Sequence, residues 1–346
     1  MIKTIEWTDG TVRLIDQTRL PLEEVFVDCA DYQCIAEAIK TMKIRGAPAI
    51  GVAAAFGLAL AAYSSGAGSS SEVLEDVKKA RSVLAETRPT AANLFWALDR
   101  VVKRADENVG ADVDKLRNIV IEEAIRIAEE DRETNERMGA IGQELISDGD
   151  NILTHCNTGA LAASEYGTAL GVVRAAWDRG TKIRVYACET RPLLQGARLT
   201  AWELKKLGIP AVLIVDGAAG YFMSQGKIDK VFVGADCVTS NGDTANKIGT
   251  YSLAVLAREN NIPFYVVSPV STIDINLKSG QEIIIEDRPD EEVTRIMDCR
   301  IAPEGFEVAN PSFDVTPAGL ITAIVTEKGI AYPPYTSSLK ALMEKA

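Results

Sequence analysis

The sequence predicts an α/β protein in two parts: a small β-hairpin with a helical region, and then a parallel sheet flanked by helices. Three observations support this prediction. An Asp-Gly turn separates two alternating runs near the amino terminus, helical spacing continues to about residue 149, and short apolar runs then alternate with helix-length segments. The chain has 346 residues, 47% of them hydrophobic, which is enough for a sizeable core, and its length favours two domains.

The first part opens with a hairpin and continues with helices. Two short runs in which polar and apolar residues alternate flank Asp9-Gly10. An Asp-Gly pair favours the tight turn of a hairpin. Helical spacing begins at Tyr32, and Ser71 and Glu72 are suited to starting a helix after a loop rich in serine and glycine. The predicted strands are 2–7 and 12–15, and the predicted helices are an alanine-rich run after Pro48 and amphipathic runs at 73–85, 91–103 and 113–146.

The second part begins after Asp148-Gly149-Asp150, where short apolar runs start to alternate with helix-length segments. Alternation of this kind predicts right-handed crossovers between parallel strands. The change of pattern places the domain boundary near residue 148, so we expect domains of 1–148 and 149–346. The predicted strands are 152–155, 183–187, 211–215, 231–233 and 264–267.

Charge and hydropathy exclude two kinds of partner. The formal net charge is -12, whereas affinity for nucleic acid comes largely from clustered Lys and Arg that release counterions. An anionic ligand therefore needs a local basic pocket. We expect no apolar stretch long enough to span a bilayer, and the first residues lack the pattern of a signal peptide, so the prediction is a cytoplasmic protein without membrane contact.

The cysteines and the single histidine argue against a metal centre. The six cysteines form no CxxC pair and have no disulfide-dense spacing, and His155 is the only histidine. Few soft or nitrogen ligands are therefore available. We expect free thiols and no structural zinc.

The residues that end the predicted strands are the first candidates for a site, because ligands of open parallel sheets bind outside the carboxyl ends of strands. Cys156 follows one strand and precedes a predicted helix start, where amide dipoles favour an anion or a thiolate. Asp236 ends another strand and can transfer protons if apolar walls raise its pKa. Each has a structural alternative, as a small buried thiol or as a turn or helix-capping carboxylate. No Cys-His pair is expected, because His155 and Cys156 are strand neighbours and point to opposite faces.

Asn246 and Lys247 are candidates for contacts with a phosphate. Both fall in the first turn of a helix predicted to begin near Ala245, where free amides and a lysine suit an anion. An ordinary surface position is the alternative for Lys247.

Arginines outside helices form a second group of candidate phosphate contacts. Arg45, Gly46 and Ala47 precede Pro48 at the predicted start of the alanine-rich helix, an arrangement that resembles a phosphate loop only weakly and lacks the P-loop pattern. Arginines in loops or before proline can bind phosphate through two hydrogen bonds, or brace the loops themselves. The further arginines of this kind are Arg88, Arg191 and Arg198.

Taken in order, seven segments resemble the methylthioribose-1-phosphate isomerase family, which is related to the regulatory subunits of eukaryotic translation initiation factor 2B. The resemblance covers nearly the whole chain. The segments are IRGAPAIG at 44–51, TRPTAANL at 87–94, THCNTGALA at 154–162, ETRPLLQGARLTAWEL at 189–204, VGAD at 233–236, NGDTANKIGTYSLAVLA at 241–257 and PVSTID at 269–274.

This resemblance implies a helical first domain, a Rossmann-like second domain, a homodimer, and an active site without metal or nucleotide cofactor. The implied reaction converts 5-methylthioribose 1-phosphate, a sugar phosphate, into 5-methylthioribulose 1-phosphate in methionine salvage. By motif match, the catalytic cysteine is Cys156 and the proton-donating aspartate is Asp236. The substrate-binding positions implied in the same way are Arg45, Gly46, Ala47, Arg88, Gln195, Asn246 and Lys247.

One position departs from the family, which usually has GADRI where this chain has GADCV at 234–238. Loss of that arginine alters the charge near Asp236, so 5-deoxyribose 1-phosphate and ribose 1,5-bisphosphate remain alternative substrates. A non-catalytic subunit like those of initiation factor 2B is another alternative, although such a protein need not keep both Cys156 and Asp236. A nucleotide-binding dehydrogenase fits only the alternation of strands and helices, because the first strand of the second part lacks GxGxxG.

Overall fold

The computed structural model of the chain describes residues 2–89 and 91–344, and these form two compact units. The first unit comprises the described residues up to Thr134 together with Ala160–Gly167. The second comprises Asn135–Gly159 and the described residues from Thr168 onward. The domain boundary expected near residue 148 stays a prediction.

A three-stranded antiparallel sheet opens the first unit. Its strands are β1 (Ile5–Thr8), β2 (Thr11–Ile15) and β3 (Phe26–Cys29), in that order. Asp9 and Gly10 join β1 to β2 with positive φ angles of 44° and 81°, so the predicted hairpin is confirmed. The sequence pattern does not predict β3, because Cys29 alone of its four residues is buried.

Helices make up the rest of the first unit. They are α1 (Tyr32–Lys40), α2 (Ala47–Ser64), α3 (Ser70–Ala85), α4 (Ala92–Asp106) and α5 (Val113–Gly142), the last of which continues into the second unit. Helix α2 packs against α1, α3 and α4. It is 18 residues long and apolar enough to cross a membrane by length and composition, so the expectation that no such stretch exists is wrong. However, 78% of it is buried inside the protein, as in a core helix that is apolar on all sides.

Two local details of the first unit correct the sequence analysis. Ser69, not Ser71, caps α3, and its hydroxyl and the Glu72 carboxylate form a reciprocal capping box. Cys29 and Cys34 form a disulfide, so the expectation of free thiols is wrong for these two residues. Asp31 caps α1 by accepting the Cys34 N–H at 2.8 Å, and this turn brings the two cysteine Cα atoms to 5.5 Å.

The second unit contains a large mixed set of strands and helices. The strands are β4 (Asn151–Thr154), β5 (Arg184–Cys188), β6 (Ala211–Ile214), β7 (Lys230–Val233), β8 (Cys237–Thr239), β9 (Thr244–Lys247), β10 (Phe264–Val267), β11 (Ile273–Asp274), β12 (Arg295–Ile296), β13 (Cys299–Arg300), β14 (Phe313–Thr316), β15 (Ala323–Thr326) and β16 (Gly329–Ala331). The helices are α6 (Ala169–Asp178), α7 (Ala201–Leu207), α8 (Ala219–Ser224), α9 (Thr250–Glu259), α10 (Glu291–Thr294) and α11 (Tyr335–Met343).

The central sheet joins seven strands in the order β16-β15-β10-β7-β4-β5-β6. Its strands are parallel except β16, which is antiparallel to β15. The five predicted strands are present, and the predicted α/β class with a parallel sheet is confirmed. From β4 the chain adds β5 and β6 on one side, whereas β7, β10 and β15 extend the other side. The order of strands therefore reverses between β4 and β7, and such a switch point creates a crevice at the carboxyl ends.

A second sheet, in the order β11-β8-β9-β14, lies in the same unit. The prediction of a helix that begins near Ala245 is wrong, because β9 occupies this segment and α9 begins at Thr250. The turn at Asn241-Gly242, with Gly242 at φ 90°, reverses the chain so that β9 pairs antiparallel with β8. Asn246 and Lys247 therefore lie on a strand and not in a helical turn.

Candidate active site

Cys156 and Asp236 lie at the carboxyl edge of two neighbouring strands. Cys156 follows β4 and Asp236 follows β7, and these strands pair through Thr154 and Phe232. The edge between them is the switch point of the sheet, where ligands of such folds bind. Cys156 is buried, with 7% of its surface exposed, whereas Asp236 is exposed. The apolar walls expected around Asp236 are therefore a wrong prediction for this chain.

The backbone of Cys156 has an uncommon conformation. Its φ angle is 62°, in the left-handed region that costs a non-glycine residue about 1–3 kcal/mol. The helix start expected immediately after it is also wrong, because the loop passes through a short 3₁₀ turn at Ala160–Ala162 and α6 begins at Ala169. Hydrogen bonds from other segments must therefore hold Cys156 in place.

Two threonines form these hydrogen bonds. The Cys156 N–H donates to Thr190 Oγ1 at 2.8 Å, and Thr200 Oγ1 donates to the Cys156 carbonyl at 2.6 Å. Both threonines are buried. The arginines of the segment at 189–204 stand out in the sequence and these threonines do not, because hydroxyl partners distant in sequence leave no periodic signal.

A buried polar chain continues from Thr200. Asn157 Nδ2 donates to Thr200 Oγ1 at 3.2 Å and to Glu203 Oε1 at 2.7 Å. Gly159 makes room for this carboxylate, since a β-carbon there would lie 2.2 Å from Glu203 Oε2. Glu203 is 1% exposed, and polar groups this deeply buried are retained only with partners.

His155 engages groups other than the Cys156 thiol. Its Nε2 lies 2.8 Å from the Ile248 carbonyl and therefore donates to it, while Nδ1 lies 3.5 Å from Thr190 Oγ1. Burial lowers the pKa of His155, an effect that the Ile248 carbonyl opposes. The imidazole is therefore a neutral structural group at neutral pH.

His155, Cys188 and Asp216 each place one potential metal ligand within 4.8 Å of the others. The two oxygens of Asp216 accept the N–H groups of Thr190 and Arg191 at 2.8 and 2.7 Å. Burial, and then the charges of Asp216 and Glu189, raise the pKa of the Cys188 thiol. The hydrogen bonds to the loop after β5 give the Asp216 carboxylate a structural role within this cluster.

Gln195 is buried with an unpartnered acceptor. It is 5% exposed, and within the described residues its Oε1 has no hydrogen-bond donor. It immediately precedes a π-helical turn, Gly196–Thr200, and such turns are frequent at functional sites. Gly196 is required there, because a β-carbon would lie 1.7 Å from the Cys188 carbonyl oxygen. A buried acceptor without a donor suits the hydroxyl group of a ligand.

Asn246 and Lys247 do not lie beside free helix amides. The Asp314 carboxylate accepts the N–H groups of Gly249 and Tyr251 at 2.7 and 3.0 Å at the start of α9, so that expectation is wrong. Asn246 Nδ2 donates to Thr250 Oγ1 at 3.0 Å, and Lys247 Nζ lies 4.9 Å from the centre of the Phe313 ring.

Cys237, the residue that departs from the family pattern, begins β8 beside Asp236. Burial, followed by the charges of Asp274 and Asp236, raises the pKa of Cys237 to about 11. Its side chain is therefore neutral at neutral pH, where the usual arginine would be positively charged.

The candidate residues of the first unit surround two helix starts. Gly46 precedes α2 at φ 93°, and a β-carbon there would lie 2.5 Å from the Ala162 carbonyl oxygen. Within the described residues, the N-caps of α2 and α4, Gly46 and Ala91, form no side-chain capping hydrogen bond. The two starts are adjacent, since a β-carbon at Gly51 would lie 3.0 Å from Asn93 O.

Arg45 and Arg88 each come just before one of these helix starts. Arg45 Nε donates to Gln17 Oε1 at 3.3 Å, and both arginines are half-buried. Thr90, between Arg88 and α4, lies outside the described residues. Two helix amino termini with nearby arginines favour a bound anion.

The other two candidate arginines donate to carbonyl groups. The Arg191 guanidinium donates to the Pro192 and Val293 carbonyls at 2.8 Å each. Arg198 Nη1 donates to the Leu193 carbonyl at 3.4 Å. These contacts favour a role for Arg191 and Arg198 in bracing loops over a role in binding phosphate.

Comparison with known protein families identifies the family of this chain. The model of the initiation factor 2 subunit family matches residues 43–333. The chain belongs to this family.

The similarity to individual proteins extends over nearly the full length. A methylthioribose-1-phosphate isomerase from Pelotomaculum thermopropionicum is 55% identical over 345 residues, which cover 99% of this chain and 95% of that protein. The crystal structure of 5-methylthioribose 1-phosphate isomerase from Pyrococcus horikoshii is 48% identical with a TM-score of 0.95, covering 100% of this chain and 97% of the other. The crystal structure of translation initiation factor eIF-2B, subunit delta, from A. fulgidus is 45% identical with a TM-score of 0.92, covering 99% of this chain and 100% of the other.

Proposed function

We propose that this chain converts 5-methylthio-α-D-ribose 1-phosphate into 5-methylthio-D-ribulose 1-phosphate in methionine salvage. The observation that carries the proposal is the position of Cys156 and Asp236 after the two strands of the switch point, at one edge of the sheet. Relatives at 55% identity over nearly the whole chain carry the name of this activity.

The reaction moves one hydrogen and opens one ring. A phosphate on the anomeric oxygen prevents ordinary opening by loss of a hydroxyl proton at C1. The ring oxygen must therefore gain a proton as its bond to C1 breaks. The hydrogen on C2 then moves to C1 and the C2 hydroxyl loses its proton, so C2 becomes a carbonyl while the phosphate stays on the C1 oxygen.

Two side chains serve these steps. Asp236 protonates the ring oxygen. Because its side chain is exposed in the chain, the desolvation that favours its protonated form comes from the bound substrate. Cys156 serves the hydrogen transfer between C2 and C1, or stabilises the transition state there. Turnover in deuterium oxide distinguishes the two modes, because full retention of the C2 hydrogen would contradict Cys156 as an exchanging base.

Substrate contacts follow the chemistry of the candidate residues. Arg45 and Arg88, with the adjacent helix starts that include Gly46 and Ala47, bind the phosphate. The unpartnered Oε1 of Gln195 accepts a sugar hydroxyl. Asn246 and Lys247 contribute an amide and a cation from β9.

Substitution of Cys156 and Asp236 tests the proposal. Cys156→Ser and Asp236→Asn should each lower kcat by about 10²–10⁴-fold, the usual contribution of a general acid or base, without loss of the fold. Cys299→Ser and Asp298→Asn are matched controls at exposed positions and should keep the full rate. A nearly normal rate in Cys156→Ser or Asp236→Asn would refute the role of that residue.

The group on C5 is tested by comparing substrates. The methylthio, 5-deoxy and 5-phospho ribose 1-phosphates should give kcat/KM values that are highest for the methylthio compound. A neutral Cys237 in place of a cation gives no additional charge for a second phosphate. A higher kcat/KM for ribose 1,5-bisphosphate would overturn this choice of substrate.

The second candidate function is a non-catalytic subunit. The similarity to the initiation factor subunit from A. fulgidus favours it. The retention of both Cys156 and Asp236 favours the isomerase. Absence of turnover with all three sugar phosphates, in a folded preparation, would favour the subunit.

A homodimer and a cytoplasmic location also belong to the proposal. The dimer is supported by exposed apolar residues of the second unit: Leu213, at the edge of the central sheet in β6, is 51% exposed, and Val215 and Tyr221 are 58% and 64% exposed. Edge strands and apolar patches of this kind are often covered by a partner.

A further inference from the structure

Threonine hydroxyl groups hold the backbone of Cys156 at both its N–H and its carbonyl group. Thr190 Oγ1 accepts its N–H at 2.8 Å and Thr200 Oγ1 donates to its carbonyl at 2.6 Å. Thr190 and Thr200 are 0% and 1% exposed, so water does not compete for these bonds. A left-handed cysteine needs such support, because its own backbone sterics disfavour the φ angle of 62°.

Each hydroxyl is oriented by a further partner. Thr190 Oγ1 accepts from Cys156, and its own proton is within reach of the Cys188 carbonyl at 3.1 Å and of His155 Nδ1 at 3.5 Å. Thr200 donates to Cys156, so its lone pairs accept from Asn157 Nδ2 at 3.2 Å. Either acceptor leaves Thr190 Oγ1 able to accept the Cys156 N–H, and the Asn157 amide leaves the Thr200 proton for the Cys156 carbonyl.

The two threonines come from segments that are themselves fixed. Thr190 follows β5, the neighbour of β4, and has a φ angle of 64°. Asp216 holds this loop by accepting the N–H groups of Thr190 and Arg191. Thr200 ends the π-helical turn Gly196–Thr200, which Gln195 immediately precedes. One short turn thus carries both a candidate substrate contact and a support of Cys156.

We propose that Thr190 and Thr200 are positioning residues of the isomerase, which hold the Cys156 backbone so that its thiol faces the reacting carbons. They act through Cys156 and do not touch the substrate. This inference rests on the catalytic role proposed for Cys156. A thiol that is displaced by a fraction of an ångström loses alignment with C1 and C2, and such misplacement lowers the rate of the chemical step more than it weakens substrate binding.

The test compares Thr200→Val with Thr200→Ser in the full chain. Valine keeps the shape and removes the hydroxyl, whereas serine keeps the hydroxyl. Thr200→Val should lower kcat by about 10- to 100-fold with KM changed by less than about threefold, and Thr200→Ser should restore most of the rate. Thr326→Val is the matched control, because Thr326 is fully buried and its hydroxyl donates to the Gly329 carbonyl at 3.0 Å.

Alkylation adds a measurement that a general loss of stability does not reproduce. The rate at which iodoacetamide modifies Cys156 is followed against pH by mass spectrometry of its peptide. The pH profile should change in Thr200→Val and stay unchanged in Thr200→Ser and Thr326→Val. Equal losses of kcat in Thr200→Val, Thr200→Ser and Thr326→Val would overturn the proposal, as would an unchanged kcat in Thr200→Val.

Cys156→Ser separates this inference from the proposed function. If Cys156→Ser is inactive and Thr200→Val is fully active, the positioning role alone is refuted. If Cys156→Ser keeps its activity, the role of Cys156 fails and the inference fails with it. If Thr200→Val does not fold, Thr190→Val and Thr190→Ser repeat the comparison at the Cys156 N–H. The results expected, and those that would overturn the proposal, are the same as for Thr200.

Discussion

Buried polar side chains near the carboxyl edge of the central sheet differ in whether their hydrogen-bonding atoms are satisfied. Thr190 and Thr200 have partners on both sides, whereas Gln195 Oε1 has none among the described residues. An unpaired buried acceptor costs about 1–3 kcal/mol. A ligand that supplies the missing donor would offset this cost, which is consistent with the substrate contact proposed for Gln195.

Gln195→Leu should therefore separate stability from affinity. Removal of the unpaired oxygen should leave the Tm unchanged or raise it, while KM rises by a factor of about 3 to 10 through the lost hydrogen bond to substrate. Gln17→Leu is the matched control for stability, because Gln17 is also buried but Nε2 donates to the Leu161 carbonyl at 2.8 Å. It should lower the Tm. A fall in Tm in Gln195→Leu with unchanged KM would contradict the assignment.

His155 links stability to pH. Burial lowers its pKa below the ordinary value of 6.5, so the unfolded chain binds the proton more readily than the folded one. Its contribution to the free energy of unfolding is complete above pH 6.5 and is lost as the pH falls below that value. His155 is the only histidine in the chain, so no other imidazole contributes to this dependence.

Urea unfolding at pH values between 7 and 5.5 measures the effect. Wild-type protein should lose stability with decreasing pH more steeply than His155→Gln, in which no imidazole titrates. Equal slopes in the two proteins would show that the protonation of His155 does not differ between the folded and unfolded states.

At the level of elements, the start of α2 combines a structural requirement with the anion contact proposed for Gly46. Gly46 has a φ angle of 93°, and the backbone of Ala162 leaves no space for a β-carbon. Glycine at the N-cap also has no side chain that could accept from the first amides of this 18-residue helix. The element therefore requires glycine for packing and offers its amino terminus to an anion.

Gly46→Ala should lower the free energy of unfolding by more than about 1 kcal/mol, because the positive φ angle and the contact with Ala162 both oppose a side chain. Gly66→Ala is the control, since a β-carbon there meets nothing within 4 Å. Chemical denaturation of the two variants gives the comparison. Equal stabilities would mean that the chain near Gly46 relaxes without cost.

At the level of the whole molecule, both units have exposed apolar residues, and those of the second unit include the edge of the central sheet. Leu213, Val215 and Tyr221 of the second unit are all more than half exposed, and Leu213 lies on the edge strand of a seven-stranded sheet. An unprotected edge with apolar side chains is a site of association. The proposed homodimer would cover it.

Leu213→Lys combined with Tyr221→Asp should shift the proposed dimer to a monomer, because each variant introduces a charge that a covered apolar surface cannot accommodate. Light scattering after size-exclusion chromatography measures the mass. Leu22→Lys is the control at a 78% exposed leucine of the first unit and should leave the mass unchanged. A wild-type monomer would refute the dimer itself.

Much of this protein is determined locally and can be predicted from its sequence. Hydrophobic periodicity and turn residues predict the Asp-Gly hairpin, the helices from α2 to α5 and the five parallel strands. Both signals depend only on residues that are close in the chain. The order of the motifs indicates the family. Cys156 and Asp236 emerge as candidates because strand ends can be located from the same periods.

Only the tertiary structure decides the contacts between segments that are distant in sequence. Residues 244–247 form a strand because β8 and β14 lie on either side, although their sequence also suits a helix. Asp314 takes the amides of α9, and Thr190 and Thr200 hold Cys156, across separations of 34 to 65 residues. These hydrogen bonds have no periodic trace in the sequence, because their energy comes from burial and geometry that exist only in the folded chain.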